Sequence, residues 1–132
     1  MLSSLLDLFY FSNLLMKKMF FILVLIAAKS FAQDTITTAQ VKQYIDKEVW
    51  LKGTIASVKI ASEDNINYIN IDKAFPNNLF TVAITTKYLE RLKIKLENIK
   101  GKKILVKGKI LANRKDPGQV PQIFNPTQIQ IK

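Results

Sequence analysis

The chain has 132 residues, which is the length of one ordinary domain with little to spare. It contains no cysteine and no histidine, so disulfide frameworks, Cys/His zinc sites, thiol or imidazole nucleophiles and the usual general base near neutral pH are excluded. Its 20 basic residues against 10 acidic ones give a net charge of +10. Such a surplus favours polyanionic partners, and lysines that only keep a surface soluble are the alternative.

The beginning of the chain has the pattern of an export signal. Two lysines precede an apolar run from Met19 to Ala28, and small residues follow at the spacing that a signal peptidase needs. We predict a signal peptide over residues 16–32 and a single mature domain over residues 33–132. The apolar run is shorter than the roughly 20 residues that a membrane-spanning helix requires, so we expect no stable membrane span after cleavage.

Residues 1–15 carry no basic residue ahead of the apolar run, so they do not fit the start of a signal peptide. We predict that translation begins at Met16 and that residues 1–15 are a gene-model extension. An uncleaved amphipathic anchor is the alternative. The expected location is outside the cytoplasm, either periplasmic or secreted.

The mature chain opens with a short helix followed by a long strand. Thr37 and Gln40 have the spacing of a capping box, which predicts a helix from about Thr38 to Asp46. From Val49 to Ile60 the apolar period changes to two, which predicts a half-buried strand. A bulge near Ala56-Ser57 would turn the last apolar residues of this strand, Val58 and Ile60, toward the interior.

Four further strands are predicted after this one. The first two are Tyr68–Asp72 and Phe80–Ile84, separated by a turn at Pro76. A weakly helical segment follows and stops at Gly101. The last two strands are Lys103–Ala112 and an interrupted strand made of Gln122–Phe124 and Gln128–Ile131, with the turn-rich loop Asn113–Pro121 between them.

This order of elements predicts an all-β fold with one or two short helices, the five-stranded Greek-key barrel called the OB-fold. Gly53 and Gly108 stand in the first and fourth strands, which are neighbours in this barrel. A residue without a side chain makes the sharp coiling of both strands easier. We therefore assign the repeated Lys-Gly of these strands to the fold. It is not a phosphate loop, because it lacks the spacing and the strand-to-helix setting of one.

Most of the mature chain resembles the small exported bacterial OB-fold domains that occur alone or attached to secreted thermonuclease-like proteins. The matching segments are Gly53–Ile55, Tyr68–Ile71, Phe75–Asn77, Phe80–Ile84, Gly101–Gly108, Pro121–Ile123 and Gln128–Ile129. The chain departs from the family pattern at Trp50 and in the loop tip 113–118. The resemblance implies a nucleic-acid-binding domain without catalysis of its own, with a nuclease as a possible partner. A second resemblance, to periplasmic stress-linked OB-fold proteins, rests on fewer motifs.

Outward-facing residues make up the candidate site. An aromatic ring with interleaved lysines suits single-stranded nucleic acid, because bases stack on rings while ammonium groups follow the phosphates. OB-folds bind such ligands across their second and third strands, between two flanking loops. The predicted nucleic-acid-binding residues are Trp50, Lys52, Thr54, Lys59, Tyr68, Asn70, Thr81, Lys107, Lys109, Arg114 and Lys115. Together with Asp72, which would repel phosphate, and Leu79, those on the first three strands are expected to form one continuous outer face. Lys107 and Lys109 would extend its basic surface on the fourth strand.

Structural roles are the alternative for the two aromatic residues of this set. Trp50 would then pack under the first helix, and Tyr68 would be a cross-strand partner. A calcium-dependent nuclease site built on Glu63, Asp64 and Asp72 is a weaker interpretation than a solvated acidic turn, since calcium needs six or more oxygen ligands.

We therefore predict an exported, monomeric OB-fold binding module that is not an enzyme and needs no cofactor or metal. Single-stranded DNA is the favoured ligand, with another polyanion possible and affinity falling steeply as salt rises. The alternative is an envelope protein whose barrel binds a protein or a glycan, because a fold does not fix a function.

Overall fold

The computed structural model describes residues 6–19, 34–62, 64–116 and 118–132, and these fall into two compact units that divide after Gln33. The first unit contributes helix α1, residues 6–19, whose residues are all exposed. Met16, the predicted translation start, lies inside α1, whereas the apolar run beyond Met19 and the predicted cleavage site lie outside the described residues. In the described part of the chain, no helix is long and apolar enough to cross a membrane.

The second unit is a β-sheet domain. Its elements, in chain order, are β1 (Thr35–Ile36), a 3-10 helix (Thr38–Tyr44), β2 (Glu48–Lys59), β3 (Ile66–Ile71), β4 (Phe80–Thr85), α2 (Thr86–Leu92), β5 (Lys103–Lys109), β6 (Gln122–Phe124) and β7 (Gln128–Ile131). The seven strands form one sheet in the order β6-β4-β3-β2-β5-β7, with β1 beside β2. β1 and β6 pair in parallel with β2 and β4, and the other neighbouring strands are antiparallel.

The sheet has seven strands and is not closed, so a barrel of five strands is not confirmed. The predicted interrupted strand is in fact two strands, which lie at opposite ends of the sheet order. They separate because Asn125 leaves the ladder with a positive φ of 46° and Pro126 follows it. Beyond β5, Leu111 forms an isolated bridge with Gln122.

Strand β2 bends in the middle, as the sequence predicts. Its first half pairs with β5 and its second half pairs with β3, and the register shifts between Ile55 and Ser57. The predicted bulge is therefore confirmed, and Val58 beyond it packs against the core. The prediction for Ile60 is wrong: β2 ends at Lys59, and the Ile60 side chain is 57% exposed.

The core lies on the concave side of the sheet. Its largest fully buried side chains include Leu51, Ile71 and Phe80. Gly53 and Gly108 face the same side, because a Cβ atom on either would lie 2.3 Å from Ile71 Cγ2 or 2.7 Å from Ile123 Cγ2 respectively. Every buried apolar side chain among the described residues belongs to the unit Asp34–Lys132. This unit therefore has the complete hydrophobic core of an independently folding domain.

Both helices of the domain differ from their predicted bounds. The first is a 3-10 helix that ends at Tyr44, and the backbone N–H of its cap, Thr37, donates to Gln40 Oε1 at 3.1 Å. Helix α2 ends at Leu92, where Lys93 takes a left-handed conformation, and not at Gly101. The chain leaves the helix early because Leu96 and Ile99 are buried in the core from an irregular segment.

Two predicted strands also have different ends. The strand predicted over Tyr68–Asp72 runs from Ile66 to Ile71, and Asp72 leaves it with a positive φ of 66°. The strand predicted over Lys103–Ala112 ends at Lys109. Both predictions gave the inward residues correctly, since Ile69, Ile71, Ile104, Val106 and Ile110 are buried.

Candidate functional site

A groove of about 900 Å³ lies on the outer face of the domain, over β3, β4 and the second half of β2. Its volume is within the range of natural ligand sites. The loop between β2 and β3 contributes Asp64, the loop between β3 and β4 contributes Phe75, and the loop before β6 contributes Lys115 and Asp116. The lining residues are Ser57, Val58, Lys59, Asp64, Tyr68, Asn70, Phe75, Pro76, Asn78, Thr81, Asn113, Lys115, Asp116, Gly118, Val120 and Gln122.

The floor of the groove is a chain of hydrogen bonds between polar side chains. Ser57 Oγ accepts from Asn70 Nδ2 at 3.0 Å and from the backbone N–H of Phe75 at 3.3 Å. Asn70 Oδ1 accepts from the Thr81 hydroxyl at 3.1 Å, and Thr81 in turn accepts from Asn78 Nδ2 at 2.6 Å. The chain thus ties three strands to the loop that carries Phe75.

Asn70 and Thr81 are therefore buried in this floor. Their exposed fractions are only 5% and 8%, and the hydrogen bonds just described use their side chains. The sequence predicts them as outward residues that contact a ligand, because strand alternation places them on the outer face. Both residues lie on the outer face of the sheet, as predicted. Because their side chains are buried and hydrogen-bonded to neighbouring residues, they are better suited to hold the groove in shape than to contact a ligand.

Two aromatic rings border the groove. Phe75 is 72% exposed, and Tyr68 is half-buried with Lys59 Nζ 5.9 Å from its ring centroid. Sequence reasoning missed Phe75 as a site residue, because the segment around Pro76 is typical of a turn and was interpreted only as one. The signal that was available is a bulky apolar side chain inside an otherwise polar turn.

The charges of the groove balance. Two lysines, Lys59 and Lys115, and two carboxylates, Asp64 and Asp116, line it. Asp116 accepts from the backbone N–H of Val120 at 3.0 Å. Burial raises the pKa of Tyr68 above its ordinary value, and the negative charge of Asp64 together with a hydrogen bond to it raises this pKa further. Tyr68 is therefore a neutral phenol at physiological pH.

Arg114 lies outside the groove. It lines a neighbouring cavity of about 410 Å³ together with Lys42 and Ile45. Asn113 and Gly118 line both cavities, so one loop separates them. Arg114 and Lys115 were predicted to act at the same edge of a ligand, whereas the structure turns them to different sides of this loop.

The other predicted lysines form a second surface, which we call the lysine face. It consists of the outward residues of β5, β7 and the first half of β2. Across the ladder, Trp50 pairs with Lys107, Lys52 pairs with Leu105, and Thr54 pairs with Lys103. The members of the lysine face are Glu48, Trp50, Lys52, Thr54, Lys103, Leu105, Lys107, Lys109, Gln128, Gln130 and Lys132.

Side-chain contacts within the lysine face are few and weak. Lys107 Nζ lies 5.8 Å from the centroid of the half-buried Trp50 ring and 3.8 Å from a carboxylate oxygen of Glu48. Lys103 Nζ donates to the Thr54 hydroxyl at 2.9 Å. Lys52 and Lys109 are exposed.

The expected continuous outer face is therefore divided in two by the bulge in β2. Asp72 belongs to neither part. Its carboxylate accepts from the backbone N–H of Thr54 at 2.9 Å and from the Thr38 hydroxyl, so it fastens the 3-10 helix to β2. In the described residues, no cluster of acidic side chains comes together as a metal site, and Glu63 lies outside them.

Solved structures show which fold this is. An aspartyl-tRNA synthetase from Leishmania major matches with a TM-score of 0.56 and 6% identity, over 76% of this chain and 21% of the synthetase. The OBody AM1L10 bound to hen egg-white lysozyme matches with a TM-score of 0.52 and 16% identity, over 77% of this chain and 96% of the OBody. A structure of yeast Stn1 and Ten1 matches with a TM-score of 0.52 and 13% identity, over 77% of this chain and 64% of that one.

These likenesses show that the domain has an OB-fold, the fold that the sequence predicts. The chain spans about a fifth of the synthetase that it matches. No protein-family model matches the sequence, and no curated protein is similar to it at a significant level. In OB-fold terms, β3 and β4 are the second and third strands, so the groove lies on the face where such domains bind oligonucleotides and oligosaccharides.

Proposed function

We propose that the protein is an exported, noncatalytic, monomeric binding module whose groove takes single-stranded nucleic acid. The observation that carries the proposal is the pairing of two aromatic rings, Tyr68 and Phe75, with two lysines, Lys59 and Lys115, in one groove on the ligand-binding face of an OB-fold.

Each part of the groove has a role in this proposal. The exposed ring of Phe75 offers a face on which a base stacks, and Tyr68 offers a second one. Lys59 lies close to the Tyr68 ring, so a phosphate can be neutralised beside a stacked base. The hydrogen-bonded floor anchors the backbone of the loop that carries Phe75, which limits the entropy lost on binding.

The expected salt dependence is shallow, in contrast to the steep dependence expected from net charge alone. Two lysines line the groove, and neutralising two phosphates of a single strand gives a slope of log K against log salt of about −1.4. Asp64 and Asp116 oppose this attraction. Stacking therefore supplies more of the affinity than charge does.

Export and the lack of catalysis are supported by the sequence. The lysines, the apolar run and the small residues before position 33 have the order of a signal peptide. The absence of histidine and cysteine removes the commonest catalytic groups. The resemblance to domains attached to secreted thermonuclease-like proteins makes a nuclease one possible partner.

Fluorescence anisotropy with a labelled oligothymidine, measured at two salt concentrations, tests the proposal. We expect Phe75→Ala to weaken binding by roughly 5-fold to 150-fold, because stacking on one ring contributes about 1–3 kcal/mol. Phe124→Ala is the matched control, since Phe124 is also an exposed phenylalanine, 44% exposed, but does not line the groove. Absence of binding at low salt, or equal losses in both variants, would overturn the proposal.

A protein or glycan ligand is the second candidate, and the balance of charges favours it. The groove pairs two lysines with two carboxylates, and amides such as Asn78 and Gln122 suit sugar hydroxyls or a peptide backbone. Asp64→Asn separates the two candidates. It should strengthen oligonucleotide binding by removing a repulsive charge, whereas it should weaken or leave unchanged the binding of a neutral ligand.

A further inference from the structure

The lysine face has the properties of a docking surface for a flat, negatively charged partner. It is the outer side of three neighbouring strands, and none of its residues lines either of the two cavities described above. The lysine face is therefore a surface separate from the groove.

Its charge is strongly positive. The face carries five lysines, and Lys52, Lys103, Lys109 and Lys132 among them are exposed. Glu48 lies on the face and Asp34 lies at its margin, so carboxylates offset two of the five charges. All its cations are lysines, which act as point charges and lack the planar fork with which arginine holds one phosphate in a fixed geometry.

The chain also enters the domain at this face. Strand β1 pairs with β2 so that Thr35 lies beside Trp50, and the backbone N–H of Trp50 donates to the carbonyl of Asp34 at 3.2 Å. Whatever precedes Asp34 is thus joined to the domain at the margin of the lysine face.

We propose that the lysine face docks the domain on an anionic phospholipid bilayer. Each lysine near such a surface contributes about 1 kcal/mol, and five of them outweigh the two nearby carboxylates. Trp50, half-buried with a polar ring nitrogen, is a residue type that is enriched at the interface between lipid and water. This proposal is independent of what occupies the groove.

A bilayer fits these observations better than a second stretch of nucleic acid does. The cations of this face are all lysines, which act as point charges and suit an array of headgroups better than the fixed geometry of one phosphate. The half-buried Trp50 is of a residue type enriched at the interface between lipid and water. Nucleic acid on this face is instead one of the outcomes of the test.

The experiment uses residues 34–132, which hold the complete core, and sedimentation with vesicles of phosphatidylcholine alone or mixed with phosphatidylglycerol. Trp50 is the only tryptophan of the chain, so its emission reports directly on this face. We expect binding to the mixed vesicles only, a blue shift of the Trp50 emission, and reversal by salt.

Two double charge-reversal variants distinguish an effect of the lysine face from an effect of the total net charge. Lys52→Glu combined with Lys109→Glu should weaken vesicle binding by at least about 30-fold. Lys87→Glu combined with Lys95→Glu is the control: it reverses two exposed lysines outside the lysine face and changes the net charge by the same amount. This pair should weaken vesicle binding far less. Equal losses in both pairs, no binding to the mixed vesicles at low salt, or quenching of Trp50 by oligothymidine without a response to vesicles would each overturn the proposal.

Discussion

The groove and the lysine face are built on the two halves of one strand, yet they differ in shape, charge and internal bonding. The groove is concave, balanced between two lysines and two carboxylates, and tied together by buried hydrogen bonds. The lysine face lines neither cavity, is strongly basic and has only a few side-chain contacts within it. The bulge between Ile55 and Ser57 separates them.

This difference shows that the lysine excess of the sequence does not by itself locate a ligand site. Five lysines lie on a face that lines neither of the two cavities, whereas the groove has as many carboxylates as lysines. A net charge of +10 therefore argues for attraction to anionic surfaces, while the identity of a bound ligand depends on the aromatic and amide groups of the groove.

The largest expected effect concerns packing beneath the lysine face. Gly53→Ala places a methyl group 2.3 Å from Ile71 Cγ2, and we expect it to lower the free energy of unfolding by about 3 kcal/mol. The urea midpoint measures this loss. Gly108→Ala, with its nearest contact at 2.7 Å from Ile123, should behave similarly but cost less.

Gly118→Ala is the control from the border of the groove. Its nearest atoms would lie at 3.4 and 3.5 Å, which is ordinary contact, so we expect a change within about 0.5 kcal/mol. If it destabilised the protein as much as Gly53→Ala does, the two regions would not differ in how tightly they are packed.

A smaller effect should follow from breaking the floor of the groove. Asn70→Ala leaves Ser57 and Thr81 without this partner, and we expect a loss of about 2 kcal/mol in the free energy of unfolding. Oligothymidine affinity should fall as well, because the loop with Phe75 loses an anchor.

The same substitution also tests whether the two surfaces are independent. Vesicle binding by Asn70→Ala should stay unchanged at a temperature where the variant is folded. Gln130→Ala, which removes an exposed amide from the lysine face, is the control and should alter neither stability nor oligothymidine affinity. A parallel loss of vesicle binding in Asn70→Ala would contradict the separation of the two surfaces.

The smallest effect concerns the titration of Tyr68. Burial and Asp64 raise its pKa, so Asp64→Asn should lower this pKa while leaving it above the ordinary value, since burial remains. Absorbance of the phenolate measures the shift, and Tyr68→Phe identifies the band. Because the folded pKa is the higher one, this group's contribution to stability is present below the unfolded value and is lost as pH rises through the folded value.

The fold could be predicted largely from alternation along the strands. Apolar residues at every second position located β2 to β5. In β2 the apolar residues move from odd to even positions near Ala56, and this shift located the bulge. The ends of elements were less accurate, as at Ile60 and Gly101, because the local pattern does not show where a neighbouring strand stops or where an irregular segment buries Leu96.

The candidate site could be predicted only in part, because alternation gives the direction of a side chain but not what lies above it. Lys59, Tyr68 and Lys115 line the groove as expected. Asn70 and Thr81 also line it but are buried by hydrogen bonds to Ser57 and to the loop that joins β3 to β4, and the role of Phe75 depends on the position of that loop. Whether the predicted residues bind nucleic acid stays a prediction.

The short connection between β6 and β7 has a geometric consequence. These strands lie at opposite ends of a six-strand path, which would be about 24 Å wide if flat. The chord from Phe124 to Gln128 cannot exceed about 14 Å, because so few residues join them. The sheet must therefore curl. The outer faces of its two halves then point in different directions, so a rigid planar partner that touches one half cannot touch the other at the same time.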